Sequence, residues 1–155
     1  METPMERDRG QISVIVVDDD PDIVSILCEL LQIGDVNVIG VGSNGKEAVE
    51  LYEKLRPDVV FLDIMMPQYD GFYALENIRL INKHAKILMI TADLRSETAE
   101  RLKGVPSLEV VYKAFDLNDL LNGIDKLLSG SVHGMAYNGA TYSMRPEVKY
   151  EVMLR

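Results

Sequence analysis

What the chain has little of narrows its chemistry first. One cysteine, Cys28, cannot close an internal disulfide, and with only two histidines, His84 and His133, no Cys/His spacing suits a zinc site. Thiol and zinc chemistry are set aside, and Cys28 is expected as a buried, inert thiol on the apolar side of a helix. Tryptophan is absent and basic residues are scarce: 16 Lys and Arg stand against 25 Asp and Glu, a net charge of -9. Such a field repels phosphate backbones and anionic headgroups, which argues against direct binding of nucleic acid or membrane. No apolar run is long enough to span a bilayer and no basic-then-apolar leader opens the chain, so a cytoplasmic location is expected.

What is there is 155 residues, 47% of them apolar and 26% charged, enough for one domain with a true core. Short strings of branched residues at 12–17, 36–41, 59–62, 87–90 and 108–112 read as five strands buried on both faces. Between them the helices announce their starts. Asp20 caps a helix with Pro21 in its first position, an apolar stripe of Ile23, Ile26, Leu27, Leu30 and Leu31, and a stop at Gly34. Asn44 with Glu47 three residues on forms a capping box, and that helix stops at Arg56 and Pro57. Further helices are expected over 71–82 and 94–103, and from Asp116 along Leu117, Leu120, Leu121, Ile124 and Leu128.

Strands alternating with helices specify an α/β fold with a parallel sheet covered on both faces. The expected organisation is an N-terminal extension over 1–10, one domain over 11–129 and a tail over 130–155. In the tail, Val148, Tyr150, Val152 and Leu154 alternate with Lys149, Glu151 and Met153, which suits either a docked β arm or a frayed terminus.

In an open parallel sheet the functional loops lie beyond the carboxyl ends of the strands. Asp18 and Asp19 follow the first strand, Asp63 the third, Thr91 the fourth and Lys113 the fifth, so three carboxylates, a hydroxyl and an ammonium share one rim. Clustered carboxylates raise one another's pKa and persist where a divalent cation binds. Magnesium suits them, with Asp19 and Asp63 as direct ligands, Asp18 acting through a water and the Met65 carbonyl completing the set. An Asp63 oxygen can then attack phosphorus to give an aspartyl phosphate, with Lys113 and Thr91 holding phosphoryl oxygens. Asp20 is left to helix capping, and Met65 and Met66 are expected to pack.

Val16-Val17-Asp18-Asp19-Asp20-Pro21, Phe61-Leu62-Asp63-Ile64-Met65-Met66-Pro67 with Asp70-Gly71, Thr91-Ala92 and Lys113 together resemble the receiver domains of two-component response regulators. The resemblance covers about 12–129. It implies a flavodoxin-like doubly wound sheet of order 2-1-3-4-5 and a stand-alone switch rather than an enzyme. It further implies phosphorylation of Asp63 by a sensor histidine kinase, magnesium held at Asp18 and Asp19, and phosphate sensing by Thr91 and Lys113. Output then passes to a downstream protein through the face of helix four, strand five and helix five.

Two positions depart from that pattern. Ala114 stands where the family has a proline after a cis bond, and a cis bond before alanine costs about 2.5–4 kcal/mol, which leaves the loop's path open. Val110 stands where the family often has a switching aromatic, and Tyr112 points to another face, so output through the tail or through a homodimer is expected to matter. These departures motivate an alternative, a degenerate receiver acting as a scaffold without phosphate. A magnesium-dependent aspartyl-phosphate phosphohydrolase is disfavoured because 18–22 lacks the closing Thr or Val of that family's motif, and a flavodoxin-like cofactor binder because two carboxylates occupy the phosphate loop.

Overall fold

In the computed structural model, which describes residues 11–93 and 95–129, period-two alternation along the strands builds two cores. The elements run β1 (Ser13–Val17), α1 (Pro21–Ile33), β2 (Asn37–Gly42), α2 (Gly45–Leu55), β3 (Val59–Asp63), α3 (Gly71–Ile81), β4 (Ile87–Thr91), α4 (Ser96–Leu102), β5 (Leu108–Tyr112) and α5 (Leu117–Ser129). Val14, Val16, Phe61, Leu88 and Ile90 point to one face, where α1 and α5 bring Leu27, Leu31, Leu120 and Ile124. Ile15, Val17, Leu62, Ile87 and Met89 point to the other, where α2, α3 and α4 bring Tyr52, Leu75, Ile78 and Leu102. Each such fully buried Leu, Ile or Phe contributes roughly 1.5–3 kcal/mol from burial.

All strand pairs are parallel and the order is β2-β1-β3-β4-β5, as the flavodoxin-like doubly wound fold requires. The expectation that all five strands are buried on both faces is corrected. β3 and β4 are buried throughout and β1 nearly so, whereas β2 and β5 form the sheet edges and stay partly exposed. Branched residues suit an edge as well as a centre, so composition alone does not order the strands.

The caps behave as their side chains dictate. Asp20 accepts from the Asp22 N–H, Asn44 from the Glu47 N–H and Asp70 from the Tyr73 N–H. Asp116 and Asp119 bond reciprocally at the start of α5. α4 is shorter than expected, starting at Ser96, because Arg95 is extended and its N–H is held by the Asp93 carboxylate. Cys28 is half-buried rather than buried. Met66 packs in the core, but Met65 is 56% exposed, against the expectation that both pack. No helix among the described residues is long and apolar enough to cross a membrane. The expected extension over 1–10 and the β arm within 130–155 lie outside the described residues.

Candidate functional site

Strand register, more than any loop, assembles the acidic cluster. Val17 of β1 pairs with Leu62 of β3, so the next residues, Asp18 and Asp63, emerge side by side at the carboxyl rim. Asp63 pairs with Ile90 of β4, which sets Thr91 one step further along the neighbouring strand, and Thr91 pairs with Tyr112, which leaves Lys113 as the next residue of β5. The Lys113 N–H donates to the Thr91 carbonyl at 2.9 Å and fixes that last step.

Carboxylate oxygens of Asp18, Asp19 and Asp63 lie within 4.8 Å of one another. Asp18 and Asp63 are 2% and 5% exposed, while Asp19 faces solvent. The Lys113 ammonium reaches both buried members, at 3.1 Å from Asp18 and 3.6 Å from Asp63. Backbone donors take further lone pairs: the Asp20 N–H bonds Asp18 and the Ile64 N–H bonds Asp63, each at 2.9 Å. Burial pushes Asp63 up to about 6, and the neighbouring Asp18 charge adds to it against the pull of Lys113. Burial also raises Asp18, opposed by the Asp20 N–H and by Lys113. Two buried carboxylates thus share one ammonium, a net negative pocket of hard oxygen donors open on the Asp19 side. That donor set fits a magnesium ion, which takes one or two carboxylates and keeps several waters.

Thr91 is fully buried at the end of β4, and its hydroxyl oxygen accepts from the Asp93 N–H at 2.9 Å. The Lys113–Ala114 peptide bond is cis. Val110 is half-buried and packs against the core on the sheet face that α2, α3 and α4 cover, while Tyr112 is 45% exposed. Met65 is engaged through its side chain, whose sulfur lies 3.7 Å from an Arg95 nitrogen. The approach to α3 depends on glycine: a Cβ on Gly71 would collide with the Asp63 carbonyl and the Ile64 Cα, so only Gly lets the helix start so close to the end of β3.

Sequence reasoning passed over Asp93, Arg95 and Thr98, which form a bonded cluster beside Thr91. The available signal was an Asp two residues past the strand-end threonine, followed by Arg and Thr, a turn-and-cap pattern at the start of the helix expected over 94–103. Arg95 and Thr98 line a groove of 480 Å³ between α4 and the β3–α3 loop, together with Ile64, Met66 and Phe72.

The family model described as the response regulator receiver domain matches residues 14–125. The transcriptional regulatory protein PdtaR of Mycobacterium tuberculosis is 31% identical over 138 residues, which span 88% of this chain and 67% of PdtaR. Among solved structures, one described as the CheX-CheY-BeF3-Mg+2 complex from Borrelia burgdorferi superposes with a TM-score of 0.68 at 29% identity, covering 76% of this chain and 89% of that one. Chemotaxis protein CheY4 of Vibrio cholerae superposes with a TM-score of 0.68 at 28% identity over 75% of this chain and 98% of its own. The sheet order, the aspartates beside a lysine at its carboxyl rim and these matches lead to one conclusion: the chain belongs to the response regulator receiver domain family of two-component signalling.

Proposed function

We propose that the protein is a phosphorylation-activated switch that accepts a phosphoryl group on Asp63 from a sensor histidine kinase. The observation that carries this reading is the buried Asp18, Asp63 and Lys113 constellation with Asp19 at its open side. An ionised Asp63 oxygen attacks phosphorus, the phosphorus–nitrogen bond of the donor phosphohistidine breaks, and the imidazole leaves with its electron pair and takes a proton from water. Lys113 lies within reach of Asp63 and stabilises the charge that gathers on the phosphoryl oxygens, and the Thr91 hydroxyl supplies a donor. Asp18, Asp19 and Asp63 with the Met65 carbonyl are the groups that would hold magnesium. When bound, the ion offsets the negative charge of carboxylates and phosphoryl group in the transfer. The Borrelia structure, whose description names both BeF3 and Mg+2, supports that pairing of phosphoryl mimic and ion by family likeness.

The remaining chemistry is self-phosphorylation and hydrolysis of the aspartyl phosphate, so the protein acts as a switch in the cytoplasm rather than as an enzyme with a separate substrate. Its output is a protein contact, with a downstream target or a second copy engaging the face of α4, β5 and α5 or the tail. Incubation with acetyl phosphate and magnesium tests the reading by mass spectrometry. Wild type should gain one phosphoryl mass and Asp63→Asn none. A folded wild type that gains nothing would support the scaffold alternative, and labelling of Asp63→Asn at another carboxylate would overturn the acceptor assignment.

A further inference from the structure

Asp93 is bonded far more heavily than a loop carboxylate at a helix start needs. One oxygen accepts from the Arg95 N–H at 3.0 Å and from Arg95 Nε at 2.9 Å. The other accepts from an Arg95 terminal nitrogen at 2.8 Å and from the Thr98 hydroxyl at 2.6 Å. Although Arg95 is 64% exposed, the Asp93 side chain it covers is only 5% exposed. These four donors hold the Asp93 carboxyl far below the usual carboxylate range. The fork geometry of the guanidinium gives this pair a fixed orientation that a lysine does not reproduce.

The cluster touches the site at two points. On one side the Asp93 N–H donates to the Thr91 hydroxyl oxygen, and on the other an Arg95 nitrogen rests on the Met65 sulfur, two residues past Asp63. It touches α4 at Thr98, a buried residue of that helix. Thr91 has one hydroxyl proton and accepts with its lone pairs. When its oxygen turns toward a new acceptor on Asp63, the Asp93 N–H either follows or loses its partner. Because the Asp93 carboxylate is clamped to Arg95 and Thr98, following means carrying the first turn of α4 along. On β5, Val110 is half-buried against the core and Tyr112 is 45% exposed.

We propose that Arg95, acting through Asp93, is a positioning residue that couples the state of the Asp63 site to α4, with Thr91 as the first link and Thr98 as the last. This rests on the reading of Asp63 as phosphoryl acceptor. Arg95 meets the site at the Met65 side chain rather than at the acidic cluster or Lys113, so its removal breaks the connection while leaving the Asp18, Asp19 and Asp63 carboxylates in place. The same movement reshapes the groove beside α4, which Met65, Arg95 and Thr98 line.

The test is a backbone NMR titration with magnesium and then beryllofluoride, a phosphoryl mimic, on wild type, Arg95→Ala, Arg95→Lys and Asp63→Asn. In wild type, shifts at Asp63, Thr91 and Asp93 should extend to Ser96–Leu102. Arg95→Ala should keep the shifts at Asp63 and lose those of α4 by roughly threefold or more, since coupling through a contacting network is lost with one member. Arg95→Lys, which keeps the charge but not the fork, should fall between. An α4 response in Arg95→Ala equal to that of wild type overturns the proposal. A wild type that gives no response at Asp63, or an Asp63→Asn that responds as wild type does, removes the acceptor reading and the coupling with it. Thermal melts of each variant verify that the fold is intact, as the exposure of Arg95 leads one to expect.

Discussion

Asp63 and Asp18 stand buried side by side with one lysine between them, and that arithmetic of charge has a cost that can be measured without any phosphate. Asp63 is raised from an ordinary 3.8 to about 6, so between these values the folded protein holds a proton that the unfolded chain has released. Stability contributed by that proton is present below about 4 and is lost as pH rises through 6. In metal-free buffer, Asp63→Asn should therefore stabilise the protein at pH 7.5 by on the order of 1–3 kcal/mol, with a smaller gain at pH 5. Thermal melts in chelator at the two pH values check this. Saturating magnesium should shrink the gain at pH 7.5, because an ion that binds only the folded state restores what the bare carboxylates cost. At this scale, Asp18, Asp63 and Lys113 were legible in the sequence because each is the first polar residue after a strand string, and Asp19 because it directly follows Asp18. Asp93 and Arg95 were not, since their significance lies in a bonded turn that a run of charged residues does not display.

At the scale of elements, the capped starts of α1 and α2 were readable, while the start of α4 and the sheet edges were not. A cap is a local event, an oxygen three or four atoms from its own backbone, so Asp20 and Asn44 declare themselves in sequence, while the Asp70 cap emerges in the structure. An edge is a relation between strands, and β2 and β5 carry the same branched residues as the centre. The junction of β3 and α3 is the element contact on which the site most depends. Gly71 donates its N–H to the Ile64 carbonyl at 2.9 Å, and its missing Cβ lets Asp70 cap a helix pressed against the end of β3. Gly71→Ala should push backbone against backbone at Asp63 and destabilise by about 1–3 kcal/mol, the usual cost of overpacking. Because the displaced atoms are those of Asp63 and Ile64, magnesium affinity should fall as well. A denaturant melt together with a magnesium titration separates this outcome from a simple loss of stability, which would leave the affinity of the remaining folded protein unchanged.

For the whole molecule, the two cores close within the described residues. The α1 and α5 face and the α2, α3 and α4 face are each filled by side chains between Ile12 and Leu127, and the family match ends at residue 125, just short of the end of α5. Residues 11–129 are accordingly proposed as a self-sufficient domain. A chain cut after Ser129 should fold and keep its magnesium and beryllofluoride responses, as circular dichroism and NMR would show. The two sheet edges bear on what the removed segment does. β2 leaves Val41 53% exposed, and β5 carries partly exposed residues along its length, so each offers a row of backbone donors and acceptors that an added strand can pair. The alternating pattern at 148–154 is proposed to pair with such an edge, of its own chain or of a second copy. Truncation should then lower the melting temperature or reduce the mass seen by light scattering. If both stay unchanged while the beryllofluoride response survives, the arm is refuted and the division of the chain after Ser129 stands. If the response itself is lost, the tail is part of the switch, and its contact with the domain becomes the surface through which phosphorylation of Asp63 is read.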